Sequence, residues 1–182
     1  GKIEDSSNTF QNLLNSTSQD HPQRSSWVLR AATSWNRASR FQLTIETLQN
    51  EIKFINSPLE KAEAYLALGQ AQLQVSDNDA ALKSFQLSRK QSTDWARGSD
   101  SLLLEGQALF QAGKTQQAIE KWLEVAESRS VSGVANQAWY KLAKQAELLE
   151  AMKALKNKPK VKVSRKSKRP PTMFDAETKK EF

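Results

Sequence analysis

Apolar residues recur every three or four positions along most of this chain, a spacing typical of amphipathic helices. One such stripe holds Phe41, Ile45, Leu48, Ile52 and Ile55. Because Pro58 disfavours a helical backbone at the residue before it, we expect the helix that carries this stripe to end there. No segment combines strict alternation with turn residues, so the sequence predicts no sheet.

The same pattern divides the chain into three parts. Residues 1–23 are rich in Ser, Asn, Gln and Thr and predict a flexible polar lead-in with one helical turn around Phe10–Leu14. Residues 24–156 predict a helical domain, in which Ser25 or Ser26 caps the first helix and a second helix begins near Ala38. Further helices are expected over about 59–75, 79–91, 95–112, 115–128 and 132–156. Residues 157–182, rich in Lys and Pro, predict a disordered basic tail.

A duplication lies inside the helical part. "LALGQAQLQVSDNDAALKSFQ" at 66–86 returns in altered form as "LLEGQALFQAGKTQQAIEKWL" at 103–123, a shift of 37 residues. The shift pairs Gly69 with Gly106 and Ala81 with Ala118. Four residues after each alanine it also pairs two aromatic residues, Phe85 and Trp122. Small residues let two helices approach closely, and a helical hairpin needs a neighbour to bury its apolar face. The duplication therefore predicts stacked helical hairpins.

These units resemble the tetratricopeptide repeat, whose pattern of about 34 residues places Leu-Gly, Ala and an aromatic at fixed offsets. The matching segments are "YLALGQAQL" with Ala81 and Phe85, "LLLEGQALF" with Ala118 and Trp122, and "WYKLAKQAELL" for a first half only. Residues 24–58 resemble a degenerate first hairpin. The resemblance implies an all-α fold: a short right-handed superhelix of antiparallel helical hairpins, closed by a long C-terminal capping helix.

The resemblance also implies a groove formed by the first helix of each hairpin. Apolar groups beside amides suit an extended or helical peptide of a protein partner. The alternative is that this face packs only on flanking helices of the same chain. The predicted groove residues are Leu66, Gln70, Leu73, Leu103, Gln107, Phe110, Tyr140 and Lys144. Chaperone-type members of the family hold a terminal carboxylate with charged residues in this groove, and here uncharged residues replace them at Leu66, Gln70 and Leu103.

Charge is concentrated at the C-terminal end. Residues 156–182 hold ten Lys or Arg and three Asp or Glu, which gives a net charge of +7, equal to that of the whole chain. A dense basic segment binds polyanions through counterion release. The tail is therefore predicted to contact an anionic membrane, an acidic protein or a nucleic acid, the alternative being a solubilising or localisation role. Its basic residues are Lys156, Lys158, Lys160, Lys162, Arg165, Lys166, Lys168 and Arg169.

Catalytic and metal-binding patterns were sought and none was found. With no Cys and one His, His21, the chain lacks the residues of a transition-metal site or a His-dependent triad. Its six glycines form no phosphate-binding loop. The sequence predicts no enzyme, no cofactor and no metal site.

The second copy, "TDWARGSDSLLLEGQALFQAGKTQQAIEKW", is also similar to bacterial membrane-anchored, periplasmic repeat proteins associated with the secretion translocon. That resemblance implies a transmembrane segment before the repeats. Residues 1–182 contain no apolar run of about 20 residues and predict a soluble chain, with membrane attachment left to a segment upstream of Gly1. The compartment is not indicated.

Together these features predict a non-catalytic scaffold, adaptor or assembly subunit that binds a protein through the groove and an acidic or anionic partner through the tail. Two alternatives stay open. One is a nucleic-acid-associated subunit of a larger complex in which the tail carries the affinity. The other is a membrane-anchored accessory factor of protein translocation.

Overall fold

The computed structural model describes the backbone of residues 2–92, 95–128 and 132–156. Within these ranges the chain forms helices, with no strand, and the all-α prediction is confirmed. The helices are α1 (Lys2–Ser16), α2 (Arg24–Arg37), α3 (Phe41–Glu51), α4 (Pro58–Gln74), α5 (Asn78–Gln91), α6 (Gly98–Gln111), α7 (Thr115–Glu127) and α8 (Ser132–Lys156), with a 3-10 turn at Ile52–Phe54.

The chain divides into two compact units, Gly1–Ala146 and Glu147–Phe182. In the first unit consecutive helices pack as the hairpins α2–α3, α4–α5 and α6–α7. One apolar cluster joins α1 to α4, and a second joins α4 to the start of α8. In the second unit the structure describes the last residues of α8, up to 156.

The ends of the repeat helices follow from local chemistry. Ser57 precedes Pro58 at the start of α4, and its side-chain oxygen accepts a hydrogen bond from the backbone N–H of Glu60 at 3.3 Å. Asp77 caps α5 in the same way, accepting from Ala80 N–H at 3.2 Å. Gly113 has φ of +76° directly after α6, the left-handed conformation that glycine favours. The predicted breaks before α4, α5 and α7 therefore lie where the structure has them.

The predicted flexible lead-in is wrong for residues 2–16, which form α1. This helix packs on α2, where Leu14 is buried, and a guanidinium holds its C-terminal end. Arg24 donates from Nη1 to the carbonyl oxygens of Leu14 at 3.0 Å and Thr17 at 2.8 Å. These contacts satisfy carbonyls that a helix end otherwise leaves unpaired. The same Arg24, and not a serine, begins α2, and no side chain caps that helix.

The degenerate hairpin α2–α3 keeps the repeat geometry despite its altered sequence. Thr44 occupies the position where the other units have alanine, and it is fully buried. Its hydroxyl donates to the carbonyl oxygen of Ala32 at 3.4 Å, so the extra polar atom has a partner. A threonine is therefore tolerated at this close helix contact.

Candidate partner-binding groove

A cavity of about 850 Å³ lies along the first helices of the three hairpins, α2, α4 and α6, with one residue each from α1, from the start of α3 and from the turn before α6. Its volume is in the range of sites that hold a ligand or a peptide side chain. Apolar and polar side chains both line it. They are Phe10, Leu29, Arg30, Thr33, Ser34, Asn36, Arg37, Phe41, Glu63, Ala67, Gln70, Leu73, Gln74, Arg97 and Leu104.

The lining follows the 37-residue repeat. Arg30, Ala67 and Leu104 occupy one repeat position, and all three face the cavity. On α2 the cavity face continues through 33 and 37, and on α4 through 70 and 74. Spacings of three, four and seven residues place side chains on one face of a helix. The groove is therefore the same face of successive repeat helices.

Two of the predicted groove residues, Gln70 and Leu73, line this cavity. The prediction is wrong for Leu66 and Leu103, which are 0% and 5% exposed in the core around α4–α7. One residue along a helix turns the side chain by about 100°. That rotation takes Leu66 and Leu103 into the hairpin interior and leaves the next residues, Ala67 and Leu104, on the groove face.

The other four predicted residues lie outside the cavity lining. Gln107 accepts a hydrogen bond from Lys141 Nζ, and the Phe110 ring packs against Trp122 with ring centroids 5.7 Å apart. Tyr140 is exposed on α8, and Lys144 Nζ lies 5.8 Å from its ring centroid. These residues do not converge with Gln70 and Leu73 on one pocket.

The basic tail lies mostly outside the described residues. Lys156 is the last residue of α8. The remaining predicted tail residues, Lys158, Lys160, Lys162, Arg165, Lys166, Lys168 and Arg169, are beyond the part of the chain that the structure describes.

Sequence reasoning missed the contribution of α2, above all its two arginines. Arg30 and Arg37 are both exposed and both line the cavity. Neither forms an ion pair or a side-chain hydrogen bond with another residue of the described ranges. The signal was present in the sequence, since Arg30 precedes Ala67 by the same shift of 37 that relates Ala67 to Leu104.

A third arginine of the groove is compensated. Arg97 Nη1 lies 2.5 Å from Glu63 Oε2, and the other oxygen of Glu63 accepts a hydrogen bond from the Trp95 indole N–H at 2.8 Å. This contact ties the start of α6 to α4. Among the described residues, the groove thus has two positive charges without an ion-pair partner, both on α2.

The groove wall is held together by a side-chain bridge between α2 and α4. Asn36 Nδ2 donates to the backbone carbonyl of Ala67 at 3.0 Å. Because this bond joins the two helices at the level of the cavity, it fixes the distance between the arginine-bearing face and the glutamine-bearing face.

Within the described ranges, no group of three or more His, Cys, Asp or Glu residues could hold a metal ion. In the same part of the chain, every helix is too short or too polar to cross a membrane.

A tetratricopeptide repeat family model matches residues 66–135 and 103–154. A crystal structure of MamA is similar to this chain with a TM-score of 0.57 and 18% sequence identity, covering 81% of this chain and 89% of the MamA chain. At that identity the likeness concerns the fold alone. No curated protein sequence matches the chain.

Residues 66–154 form tetratricopeptide repeats, as their repeated hairpins and the family match indicate. Repeats of this class form protein-interaction scaffolds and are typically non-catalytic.

Proposed function

We propose that this protein is a non-catalytic adaptor that binds a segment of a protein partner in the groove along α2, α4 and α6. The observation that carries the proposal is the cavity itself, which crosses three successive repeat helices. Leu29 and Leu104, which are partly exposed, can accept apolar side chains there, while the amides of Gln70 and Gln74 can bond a peptide backbone. A partner segment would therefore find both kinds of contact along one line.

The proposed adaptor uses the C-terminal tail for a second contact. This part of the proposal rests on the sequence, in which eight Lys or Arg fall within residues 156–169 without an acidic residue. Such a segment attracts acidic or anionic surfaces at low salt. Membrane attachment and a role in translocation remain hypotheses that depend on the resemblance described above.

The groove is tested by filling it without disturbing the core. Thr33→Tyr combined with Gln70→Tyr places two rings in the cavity, at positions that are exposed or partly exposed. Gln116→Tyr combined with Gln117→Tyr adds the same rings to exposed positions on α7 and serves as the control. Affinity capture from source-cell lysate with nuclease, read by quantitative mass spectrometry, compares both variants with the unaltered chain.

Partners lost with the groove variant and kept with the α7 variant would support the adaptor. A further comparison removes residues 157–182. Partners that depend on the tail and disappear with nuclease would instead support the nucleic-acid-associated subunit. If the groove variant captured the same partners as the unaltered chain, the groove proposal would be abandoned.

A further inference from the structure

We propose that the groove takes an acidic protein segment, with two carboxylate side chains placed over Arg30 and Arg37. This inference rests on the proposed function and names the chemistry of the partner. The observation behind it is the charge of the cavity, to which the lining contributes three arginines and one glutamate. Groups of opposite charge on the partner would complement this surface.

The excess charge is localised. Glu63 neutralises Arg97 through a direct ion pair, so that arginine already has its partner. The guanidinium groups of Arg30 and Arg37 have no ion-pair partner within the described ranges, and both are exposed beside apolar lining. A guanidinium offers a planar fork of donors that matches a carboxylate in two parallel hydrogen bonds. The guanidinium groups of Arg30 and Arg37 therefore define the two positions at which carboxylates of the partner would bind.

The spacing of the two arginines indicates two carboxylates and not one. Seven residues of helix separate them, and at a rise of 1.5 Å per residue this is about 10 Å along α2. One carboxylate is too small to bridge that distance with direct hydrogen bonds. A single chain terminus would therefore satisfy only one arginine.

The apolar floor of the cavity favours a protein over a nucleic acid. Leu29 and Leu104 line the same cavity and are partly exposed, so apolar side chains of a partner would be buried against them. A phosphate backbone offers no apolar group for this floor, whereas a segment such as Glu-Leu-Leu-Glu offers both. Gln70 and Gln74 also line the cavity, and their amides suit a peptide backbone.

The test uses the full chain and two pools of fluorescein-labelled peptides. Both pools are about 12 residues long with two Leu fixed at the centre. Flanking positions are drawn from Asp, Glu, Ser and Gly in the acidic pool, and from Asn, Gln, Ser and Gly in the amide pool. Fluorescence anisotropy gives the affinity at low and at physiological salt, with a single-stranded oligothymidylate as competitor.

The matched variants remove the same charge at the same spacing. Arg30→Gln with Arg37→Gln removes the two groove cations, while Lys83→Gln with Lys90→Gln removes two exposed cations seven residues apart on α5. Arg37 and Lys90 both lie in the last turn of their helices, so loss of helix-dipole stabilisation is similar. The tail is unchanged in both variants, which separates its contribution from that of the groove.

We expect the acidic pool to bind the unaltered chain about tenfold or more tightly than the amide pool, as charge-assisted hydrogen bonds require. The arginine variant should lose that preference, and the α5 variant should keep it.

If the arginine variant still bound the acidic pool as tightly as the unaltered chain, the binding would be assigned to the tail and the inference would be overturned. If both pools bound equally and Thr33→Tyr with Gln70→Tyr abolished both, the groove would stand and only the acidic preference would fail. Stronger competition by the oligothymidylate, dependent on Arg30 and Arg37, would identify a nucleic-acid site instead.

Discussion

The indole ring of Trp122 on α7 occupies the space that a β-carbon on Gly106 of α6 would need, with its Cδ1 2.6 Å from that position. The preceding repeat has the same relationship, since Phe85 Cε1 lies 2.6 Å from a β-carbon built on Gly69. Both rings are buried, and Trp122 Nε1 donates to the carbonyl oxygen of Leu103 at 3.2 Å. Each hairpin therefore depends on an aromatic ring seated directly on a glycine.

Gly106→Ala is expected to destabilise the protein. Overpacking of this kind typically costs about 1–3 kcal/mol, and the gain in helix propensity from Gly to Ala returns about 0.5–1 kcal/mol. We expect a net loss of about 1 kcal/mol in the free energy of unfolding, measured by urea denaturation. Gly69→Ala should lower the free energy of unfolding by a similar amount, because Phe85 lies equally close to the added carbon.

The control for this prediction is Gly133→Ala on α8, where nothing lies within 4 Å of the added carbon. That variant should be neutral or slightly stabilising. Combining Gly106→Ala with Trp122→Phe should cost less than the sum of the single changes, since the smaller ring leaves room for the methyl group. Strict additivity would show that ring and glycine are not coupled.

The repeat helices and their ends could be predicted from the sequence, because apolar periodicity and helix caps depend on residues that are close together in the chain. Ser57, Asp77 and Gly113 mark helix ends through contacts within a few residues, and the 37-residue shift identified the hairpins. The helix α1 was predicted only as one turn around Phe10–Leu14 because its stabilisation is long-range. Its polar composition suggests no structure until Arg24 and the face of α2 are present in three dimensions.

Of the helices predicted to form the groove, α4 and α6 line the cavity and α8 does not, and on α4 and α6 the predicted register is partly wrong. Leu66 and Ala67 are adjacent and both apolar, so the pattern alone did not decide which of them faces the hairpin interior. The two arginines of α2 were missed for another reason. The first hairpin has Ala32 and Thr44 where the later units have glycine and alanine, so the repeat pattern marks its groove-facing positions less clearly.

The buried pair of Arg24 and Glu51 gives a second prediction. Arg24 donates from Nε at 2.8 Å and from Nη2 at 2.7 Å to the two oxygens of Glu51, and both residues are 8% exposed. These hydrogen bonds raise the pKa of the Arg24 guanidinium above its usual range, so it stays charged. Glu51→Gln removes the compensating charge and should destabilise the protein by about 3 kcal/mol or more.

The measurement for the Arg24–Glu51 pair combines urea denaturation with hydrogen exchange of α1, whose last carbonyls the same guanidinium holds. Glu46→Gln on α3 removes an exposed carboxylate from the same helix and is the control. Exchange should accelerate in α1 for Glu51→Gln only. Equal stability of the two variants would mean that the pair contributes nothing beyond a surface charge.

A buried hydroxyl pair links two consecutive hairpins. Ser88 Oγ on α5 and Ser101 Oγ on α6 are 2.7 Å apart, and both hydroxyls also lie within hydrogen-bond distance of the Phe85 carbonyl oxygen. Ser101→Ala should cost about 1 kcal/mol, the usual value of a lost intramolecular hydrogen bond. The double change with Ser88→Ala should cost less than the sum of the single changes, because each single change already removes the shared bond between the two hydroxyls. Thermal denaturation of the three variants tests this, and a cost equal to the sum would argue against coupling.

The last prediction concerns Lys141, whose Nζ lies 5.5 Å from the centroid of Trp122 and hydrogen-bonds Gln107. Burial lowers the pKa of the Lys141 ammonium below its ordinary value of 10.5. In the window between the folded and the unfolded pKa of Lys141, the unfolded chain binds more protons, so the free energy of unfolding rises with pH in that window and is constant below it.

Lys141→Met removes the titrating group. Urea denaturation from about pH 8 to about pH 10 should therefore show the unaltered chain gaining stability relative to this variant as pH rises. Lys83→Met on the exposed face of α5 is the control and should leave the pH profile unchanged. A constant difference between the unaltered chain and Lys141→Met across the range would mean that Lys141 titrates alike in both states.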